Sequence, residues 1–455
     1  MNSALRIAVI DVGKTNAKLV IVDGETGKEL AARTTPNRVI ATAPYPHYDV
    51  DRLWAFFLSA LKEFAREPGI DAISVTTHGA SAALLGEDGL AMPVLDYEHI
   101  YPDAIQKAYR ALRPDFAETC SPPLTGGLNL GAQIHFQKTG FPDLFAKVRT
   151  IVTYPQYWVW RLTGNAVNEV TSLGCHSDLW RPREGVFSSL TDRMELRSLM
   201  APVRSSFDSI GSLLPEIADH IGVDKPVPVH CGMHDSNASL LPHLTDRKAP
   251  FSVVSTGTWV ISFAVGGQFD RLDPARDTLA NVDAYGRAVP SSRFMGGREF
   301  DTLTQGEPVE PDEEALYRVI DGRIMVLPSI ATGTGPYPNR IASWPNGKPI
   351  NHAERTAAAS LYVALMNNVS LGLIGADGPT IVEGPLARNA IYVAALQNLT
   401  GRPVIAVPGS TGTSHGAALL AGARIAPPRE SPSTLTLPAA FTNYAAAWDR
   451  ALQEK

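Results

Sequence analysis

A polar turn near the amino terminus carries residue types that suit phosphate chemistry. It spans Asp11–Asn16 and reads DVGKTN between two apolar runs. Exposed backbone N–H groups at a glycine, with lysine and threonine nearby, suit a phosphate, and an aspartate at a strand end suits Mg²⁺ through water. An ordinary hairpin turn has the same composition, so both interpretations stay open at this point. The sequence is not a Walker loop, because the pattern G-x-x-x-x-G-K-[ST] is absent.

A second turn repeats this chemistry without a charge. It spans Ser255–Trp259, reads STGTW, and lies between the apolar runs 251–255 and 259–265. Hydroxyl groups and a glycine again suit phosphate oxygens. The sequence therefore predicts that the two turns, one from each domain, hold a triphosphate across a cleft.

Asp235 is the candidate catalytic base. It follows an apolar strand pattern over 226–230, in the segment CGMHDSNAS, and stands where a helix is predicted to begin. A carboxylate at such a boundary can accept the proton of a sugar hydroxyl during phosphoryl transfer. A helix N-cap is the alternative role. His230 and His234 are spaced like helical metal ligands, but no third ligand lies nearby, so a zinc site is not predicted.

Two later segments connect a predicted strand to a predicted helix. They are Glu383–Asn389, which reads EGPLARN, and the glycine-rich Gly409–Ala418. Backbone amides at a helix N-terminus offer a place for adenine, ribose or phosphate, although an ordinary loop between a strand and a helix has the same composition. The dinucleotide fingerprint G-x-G-x-x-G is absent from the context it needs, which disfavours an oxidoreductase.

Polar and aromatic clusters in the first half suit a sugar. They are Thr77–Ala80, Asp96–His99 and Gln156–Trp158. Carboxylate, imidazole and amide groups hydrogen-bond sugar hydroxyls, and an aromatic face packs on the C–H side. His78 directly follows a buried-strand pattern, which places it at the carboxyl end of that strand. Structural polar groups remain the alternative for each cluster.

The elements that position these residues form two similar series. Apolar runs over 5–10 and 17–22 predict a hairpin, 51–66 has the spacing of an amphipathic helix, and 72–76 predicts a buried strand. A comparable order begins again near residue 250. We therefore predict an α/β fold that is duplicated. The junction is expected within 242–250, which gives domains 1–245 and 246–455, the second ending in a helix.

Length and composition fit this division. The chain has 455 residues, a net charge of -6 and 44% hydrophobic residues, so two domains are expected. It has no run of lysine and arginine and no apolar window long enough for a membrane span, so we expect a small-molecule partner, no nucleic acid, no membrane and a cytoplasmic location. The three cysteines are far apart, which predicts buried thiols rather than a disulfide framework.

Five segments together resemble the successive motifs of the FGGY carbohydrate kinases, in that family's order. They are Asp11–Asn16, Tyr157–Gly164, Gly232–Asp235, Ser255–Trp259 and Gly412–Ala418. The resemblance implies two ribonuclease-H-like domains of the actin and hexokinase type, with an active-site cleft between them. It implies that ATP binds mainly to the second domain and the sugar mainly to the first.

The resemblance also implies roles for single residues. Asp235 would be the catalytic base, and Asp11 and Asp235 would hold Mg²⁺ through water. The residues expected to contact ATP and its Mg²⁺ are Asp11, Gly13, Thr15, Asn16, Thr256, Gly257, Thr258, Gly384, Asn389, Gly412 and Thr413. The residues expected to contact the sugar are His78, Asp96 and Asp235.

The expected activity is ATP-dependent phosphorylation of a hydroxyl of a small ketose. Gly296–Gly297 resembles a glycine pair of the fuculose and rhamnulose kinases, which favours L-fuculose or L-rhamnulose. The family's first signature is not evident over 128–138, and Gly333–Pro336 stands where a Gly-Glu-Arg segment is usual, so another ketopentose, a tetrose or a polyol stays open. An actin- or chaperone-like ATPase that acts on a protein partner is the rival class. A homodimer is left open.

Overall fold

Both halves of the chain begin with an antiparallel hairpin around a polar turn. The protein is described by a computed structural model that covers residues 5–409, 412–426, 430–432 and 435–453. The strands are β1 (Arg6–Val12), β2 (Asn16–Asp23), β3 (Glu29–Pro36), β4 (Val39–Ile40), β5 (His47–Tyr48), β6 (Ala72–Thr77), β7 (Ala82–Leu85), β8 (Leu90–Met92), β9 (Thr150–Thr153), β10 (Asn168–Glu169), β11 (Trp180–Arg181), β12 (Val186–Phe187), β13 (Val203–Arg204), β14 (Ser209–Ser212), β15 (Pro228–His230), β16 (Met233–His234), β17 (Phe251–Thr256), β18 (Val260–Val265), β19 (Thr278–Val282), β20 (Ala288–Phe294), β21 (Thr380–Glu383), β22 (Val404–Val407) and β23 (Ser431–Pro432).

The α-helices connect these strands. They are α1 (Val50–Arg66), α2 (Asp103–Leu112), α3 (Phe116–Thr119), α4 (Leu130–Gly140), α5 (Pro142–Phe145), α6 (Tyr154–Thr163), α7 (Val170–Leu173), α8 (Ser189–Arg193), α9 (Pro215–Ile221), α10 (Asp235–Asp246), α11 (Gly296–Thr304), α12 (Glu313–Asp321), α13 (His352–Leu373), α14 (Ala390–Thr400), α15 (Gly412–Leu420) and α16 (Phe441–Gln453). Short 3-10 helices lie at Phe269–Arg271, Pro274–Arg276 and Pro385–Arg388.

The chain divides into two compact units that interleave along the sequence. The first unit contains the described residues of Met1–Asp246, Ala280–Ala288 and Thr411–Pro427. The second contains those of Arg247–Leu279, Val289–Ser410 and Pro428–Lys455. The expected boundary after residue 245 lies one residue before the first of these junctions. The linear division does not include the two later segments that return to the first unit.

The first unit is built on a mixed sheet. Its strand order is β14-β15-β6-β1-β2-β3, and β16 also pairs with β6. The strands β1, β2 and β3 are antiparallel, because short polar turns join them, whereas β1, β6 and β15 run parallel. The carboxyl ends of β1, β6 and β16 therefore meet at one edge of the sheet.

The second unit repeats this arrangement. Its sheet contains β20-β18-β17-β21-β22-β23 in that order, with β17, β18 and β20 antiparallel and β17, β21 and β22 parallel. The strand β19 straddles the division between the units. Three antiparallel strands followed by parallel strands thus occur in both units, which confirms the predicted duplicated α/β fold.

Apolar side chains cover both faces of the first sheet. On one face the even-numbered positions of β1, Ala8, Ile10 and Val12, pack with α1, α6 and α9. On the other face Ile7 and Val9 pack against small residues of α15, including Ala417 and Ala418. This two-sided burial explains the continuous apolar run that predicted the strand.

The core of the second unit is built around α13. Fifteen of its residues are buried, and it packs on α11, α12 and α14. By length and composition α13 could cross a membrane, but 78% of its apolar window is buried inside the protein. It therefore has the burial of a core helix, which is apolar all round because neighbours surround it.

The helix α15 belongs to the first unit because of its close contact with α10. A Cβ atom added at Gly416 would lie 1.7 Å from the carbonyl oxygen of Ala238 on α10. Thr413 also lies in hydrogen-bond contact with Ser239, at 3.2 Å between the hydroxyl oxygens. The segment that carries Gly412 and Thr413 thus packs within the first unit, although the linear division places these residues in 246–455.

Gly416→Ala should destabilise the protein strongly, because the new methyl group cannot fit against the α10 backbone. Overpacking of this kind costs about 1–3 kcal/mol or more, and thermal unfolding followed by calorimetry measures it. The matched control is Gly372→Ala in α13, where the added Cβ meets no atom within 4 Å. That variant should be stabilised by up to about 1 kcal/mol through helix propensity. Equal thermal midpoints for the two variants would contradict the packing argument.

Candidate active site

Hydrogen bonds from Asn37 fix the first polar turn on one side, and the other side of the turn is exposed to solvent. The Gly13 N–H donates to the Asn16 carbonyl at 2.9 Å, and Asn37 donates its backbone N–H to the Thr15 carbonyl and its side-chain amide to the Gly13 carbonyl. Thr15 and Asn16 are exposed. The backbone N–H groups of Lys14 and Thr15 have no acceptor among the described residues. Free amides beside exposed hydroxyl and amide side chains are the donors that a phosphate needs.

Asp11 lies at the end of β1, beside this turn. It is paired across the sheet with Thr76 of β6, and Thr76 is paired on its other side with Met233 of β16. Burial, reinforced by the negative charge of Asp235, raises the pKa of the Asp11 carboxyl to about 7, and Lys18 opposes this shift. Two carboxylates near each other resist ionising together.

These two carboxylates fit a Mg²⁺ ion. Magnesium is usually held by one or two carboxylates together with substrate phosphates, and it keeps several waters. A divalent cation would relieve the repulsion that raises the pKa of Asp11. Within the described residues there is no group of three or more His, Cys, Asp or Glu side chains that could hold a metal on its own.

The loop before Asp235 is fixed by backbone contacts. Gly232 has a φ of +76°, and an added Cβ would lie 2.4 Å from the Val75 carbonyl oxygen, so only glycine fits there. The buried side chain of Gln156 donates to the Cys231 carbonyl at 2.8 Å and to the Gly232 carbonyl at 3.3 Å. Gln156, which immediately precedes the motif Tyr157–Gly164, thus fixes the loop that leads to Asp235.

A buried carboxyl supports the same loop. Glu169 is fully buried and accepts hydrogen bonds from the backbone and hydroxyl of Thr171 and from the Ser206 hydroxyl. The Thr171 hydroxyl oxygen in turn accepts from the His234 N–H at 2.9 Å. Burial raises the pKa of Glu169 to about 7. Sequence reasoning missed this chain of bonds, because it joins segments more than sixty residues apart.

Asp235 itself begins α10 and is partly exposed. Its Oδ1 accepts from the Ser236 N–H at 2.6 Å and lies 3.2 Å from the His234 Nε2. Within the described part of the chain its second oxygen, Oδ2, has no hydrogen-bond donor. The carboxylate is therefore oriented by one oxygen and leaves the other available to a proton.

His78 lies at the carboxyl end of β6, as the strand pattern predicts. Its Nδ1 contacts the Gly79 carbonyl at 2.8 Å and must donate to it, so the other nitrogen, Nε2, is an acceptor. Nε2 is buried and has no partner among the described residues. Burial lowers the pKa of His78 to about 4, so the ring is neutral at pH 7. Tyr48, Tyr97 and Tyr154 surround it, with ring centroids 5.0–5.4 Å away.

Asp96 lies against this aromatic group and is paired with Lys14 of the polar turn. Its Oδ1 contacts the Lys14 ammonium and accepts from the Tyr48 hydroxyl at 3.2 Å. The structure therefore brings Asp11, His78, Asp96 and Asp235 into one unit, and the charges of Lys14 and Asp235 both act on His78. Tyr48 and Tyr154 were missed, because nothing in their local sequence indicates that they face His78.

In the second polar turn, the first threonine makes structural hydrogen bonds and the next two residues are exposed. The Thr256 hydroxyl donates to the Glu383 carbonyl and accepts from the Leu386 N–H at 3.1 Å, so this side chain holds its own unit together. Gly257 and Thr258 are exposed. A Cβ atom at Gly297 would lie 1.9 Å from the Gly257 carbonyl oxygen, which explains the glycine at the start of α11.

The predicted nucleoside residues of the second unit are also tied into its structure. Gly384 has a φ of +80°, and an added Cβ would lie 2.0 Å from the Thr256 carbonyl oxygen. Asn389 caps α14 by accepting from the Tyr392 N–H at 2.9 Å, and it donates to Ser360 at 2.8 Å. These contacts give both residues structural roles, and their contact with a nucleoside stays a prediction.

Comparison with known families gives two adjoining matches. Residues 118–242 match the FGGY family of carbohydrate kinases, N-terminal domain, and residues 248–430 match the carbohydrate kinase FGGY, C-terminal domain. Together these ranges cover more than half of the chain. The crystal structure of a carbohydrate kinase from Novosphingobium aromaticivorans is 36% identical and has a TM-score of 0.91, covering 99% of each chain.

Two curated proteins are similar over part of the chain. An L-fuculokinase of Haemophilus influenzae is 26% identical over 286 residues, which cover 56% of this chain and 57% of that protein. A rhamnulokinase of Halalkalibacterium halodurans is 24% identical over 273 residues, which cover 55% of this chain and 54% of that protein. The chain thus matches little more than half the length of these relatives.

Asp11→Asn should stabilise the ligand-free protein at alkaline pH. The folded state keeps the Asp11 carboxyl protonated up to about pH 7, whereas an unfolded aspartate ionises near 3.8, so the wild type loses stability as pH rises through this window. Asparagine has no proton to lose. We expect a gain of about 2 kcal/mol at pH 8 that falls by more than half at pH 5, measured as thermal midpoints.

The matched control for this prediction is Asp88→Asn. Asp88 is exposed in the turn between β7 and β8 of the same unit, so its substitution should change the thermal midpoint little at either pH. A gain for Asp11→Asn that is the same at pH 5 and pH 8 would show that the carboxyl does not carry the proton assigned to it.

Proposed function

Because the chain belongs to the FGGY family of carbohydrate kinases, we propose that it transfers the γ-phosphoryl group of ATP to a hydroxyl group of a small sugar. The observation that carries this proposal is the pairing of two carboxyl groups at one sheet edge. Asp11 lies beside an open phosphate-binding turn, and Asp235 is near enough to raise the pKa of Asp11. A phosphoryl transferase needs such a metal-associated carboxylate beside a base.

Asp235 is the proposed base. Its Oδ1 is oriented by Ser236 and His234, and its Oδ2 is free among the described residues to take the proton of the acceptor hydroxyl. As this O–H bond breaks, the sugar oxygen bonds to the γ-phosphorus, and the bond from that phosphorus to the β–γ bridging oxygen breaks to leave ADP. The partial burial of Asp235 limits the water that competes as acceptor.

The two polar turns carry most of the proposed nucleotide contacts. In the first unit the proposed donors to the terminal phosphate are the backbone amide and hydroxyl of Thr15 and the side-chain amide of Asn16, in the turn that Gly13 closes through its N–H. Gly412 and Thr413, at the start of α15, are further proposed contacts. Bound Mg²⁺, near Asp11 and Asp235, supplies charge neutralisation on the phosphate oxygens. In the second unit the exposed Gly257 and Thr258 are the proposed phosphate donors, whereas Thr256 holds the turn in place.

The proposed acceptor is a neutral ketose, with L-fuculose and L-rhamnulose as the first candidates. His78, Asp96 and Asp235 are the proposed sugar contacts, because they combine acceptor atoms with surrounding tyrosine rings. The preference for these two sugars is supported by the similarity to an L-fuculokinase and a rhamnulokinase. Another ketopentose, a tetrose or a polyol is the second choice of acceptor.

The test is ADP release with Mg-ATP across a panel of ketoses, aldoses, aldonates and polyols. We expect one neutral ketose to stimulate release strongly, because the base acts only on a bound hydroxyl. Asp235→Asn should lower the stimulated rate by about 10²–10⁴-fold, since general base catalysis contributes this much.

Asp88→Asn again serves as the matched control and should keep the wild-type rate. Turnover that needs no sugar and survives Asp235→Asn would remove Asp235 as base. That result would favour the rival class, an actin- or chaperone-like ATPase that acts on a protein partner.

A further inference from the structure

Lys14 lies inside the phosphate-binding turn, but its side chain is directed to the cluster formed by Tyr48, Asp96, Tyr97 and Glu98. We infer that Lys14 is a positioning residue of the sugar site, whose side chain fixes the Asp96 carboxylate and restricts the acceptor to neutral sugars, and that its ammonium group does not bind phosphate. This inference rests on the proposed function and assigns one of its specificity determinants.

Three oxygens surround the Lys14 ammonium. Nζ donates to Asp96 Oδ1 and, at 3.3 Å, to the Tyr48 hydroxyl oxygen, and it lies 3.3 Å from Glu98 Oε2 in an ion pair. An ammonium group has three hydrogen-bond donors and no acceptor, and two of them are committed to buried partners. A phosphate or a carboxylate-bearing substrate would have to displace one of these partners.

Two aromatic rings also attract the Lys14 ammonium group. The Lys14 nitrogen lies 4.6 Å from the ring centroid of Tyr97 and 5.2 Å from that of Tyr48, which is within the range of cation–π attraction. The Lys14 side chain is 22% exposed and that of Asp96 only 10%. Turning the ammonium toward a phosphate would leave the Asp96 carboxylate buried without its counter-charge, which is strongly unfavourable.

The backbone of the turn explains how one segment serves two purposes. The contacts of Asn37 with the Gly13 and Thr15 carbonyls fix the turn so that Thr15 and Asn16 are exposed, while Lys14 is partly buried. The exposed side chains are therefore the ones available to phosphate. Lys14 is available to Tyr48, at the end of β5, and to the residues that follow β8.

Asp96 is fixed through a single oxygen. Its Oδ1 accepts from Lys14, from the Tyr48 hydroxyl at 3.2 Å and from the Glu98 N–H at 3.2 Å. Its Oδ2 has no donor among the residues that the structure describes. Because the bonds to Oδ1 fix the orientation of the carboxylate, Oδ2 also has a fixed direction, and it remains free to accept from a sugar hydroxyl.

The character of the remaining acceptors defines the substrate class. The free Oδ2 of Asp96, the unpartnered Nε2 of His78 and the Asp235 carboxylate are all acceptors, so they match the hydroxyl donors of a sugar. A carboxylate on the substrate would meet Asp96 and Asp235 with no free cation on Lys14. The cluster thus selects neutral polyhydroxy compounds and rejects sugar acids.

The test compares Lys14→Met with Lys14→Arg by steady-state kinetics, varying the acceptor found by the sugar panel and ATP in turn. We expect Lys14→Met to raise KM for the acceptor by about 10- to 100-fold, because it removes one charge-assisted hydrogen bond. KM for ATP should change by less than about threefold. Lys14→Arg keeps the charge and should recover part of the acceptor KM. Lys138→Met, which removes a lysine paired with Glu195 in the same unit, is the control and should change neither.

Two further measurements decide the outcome. Asp96→Asn should weaken acceptor binding as Lys14→Met does, and the double variant should add little, because both changes remove one pair. The affinity for a non-hydrolysable Mg-ATP analogue, measured by calorimetry on Lys14→Met and on Glu98→Gln, should stay within about threefold of the wild type. A loss above about tenfold in nucleotide affinity with an unchanged acceptor KM would overturn the inference and make Lys14 a phosphate ligand.

The design separates this inference from the proposed function. If no sugar stimulates the wild type, the proposed function fails, and the nucleotide affinity of Lys14→Met still decides whether Lys14 binds phosphate. If the wild type is a sugar kinase and Lys14→Met has the wild-type acceptor KM, the inference alone is wrong.

Discussion

The repulsion between two carboxylates is the interaction on which the site depends. Asp11 and Asp235 would separate in a flexible chain, because each ionises more easily alone. They are held together by parallel strands whose carboxyl ends share one edge, with β6 between β1 and β16. Gly232, Gln156 and the chain from Glu169 through Thr171 to His234 then fix the segment that carries Asp235. Keeping these two carboxylates close together lowers the stability of the ligand-free protein and leaves a site that suits a cation.

Much of the fold followed from sequence because its elements have strong periodicity. The hairpins and the helix α1 have apolar patterns long enough to identify them, and the repeat of one order in both halves indicated a duplication. The return of α15 to the first unit could not be predicted. Its signal is the fit of Gly416 against the Ala238 backbone, which is a property of two segments and not of either one.

The placement of a candidate residue was predictable where the residue stands at the end of a predicted strand. Asp11, Asp235 and His78 stand at strand ends, and the structure gathers them in one unit. The direction of Lys14 was not predictable, because its partners Tyr48 and Asp96 lie 34 and 82 positions away in the sequence. The same limit applies to the second turn, where Thr256 turns its hydroxyl inward to Glu383 and leaves the outer face to Gly257 and Thr258.

The interleaving of the two units also bears on how the protein is made. Synthesis proceeds from the amino terminus, and domains generally fold as units as they emerge. Here the first unit needs residues 280–288, which leave the ribosome after only the first segment of the second unit, and the helix α15, which leaves it after most of that unit. Until then the face of α10 that bears Ala238 stays uncovered. The first unit should therefore remain an incomplete nascent intermediate until α15 has emerged, by which point most of the second unit is also free to fold.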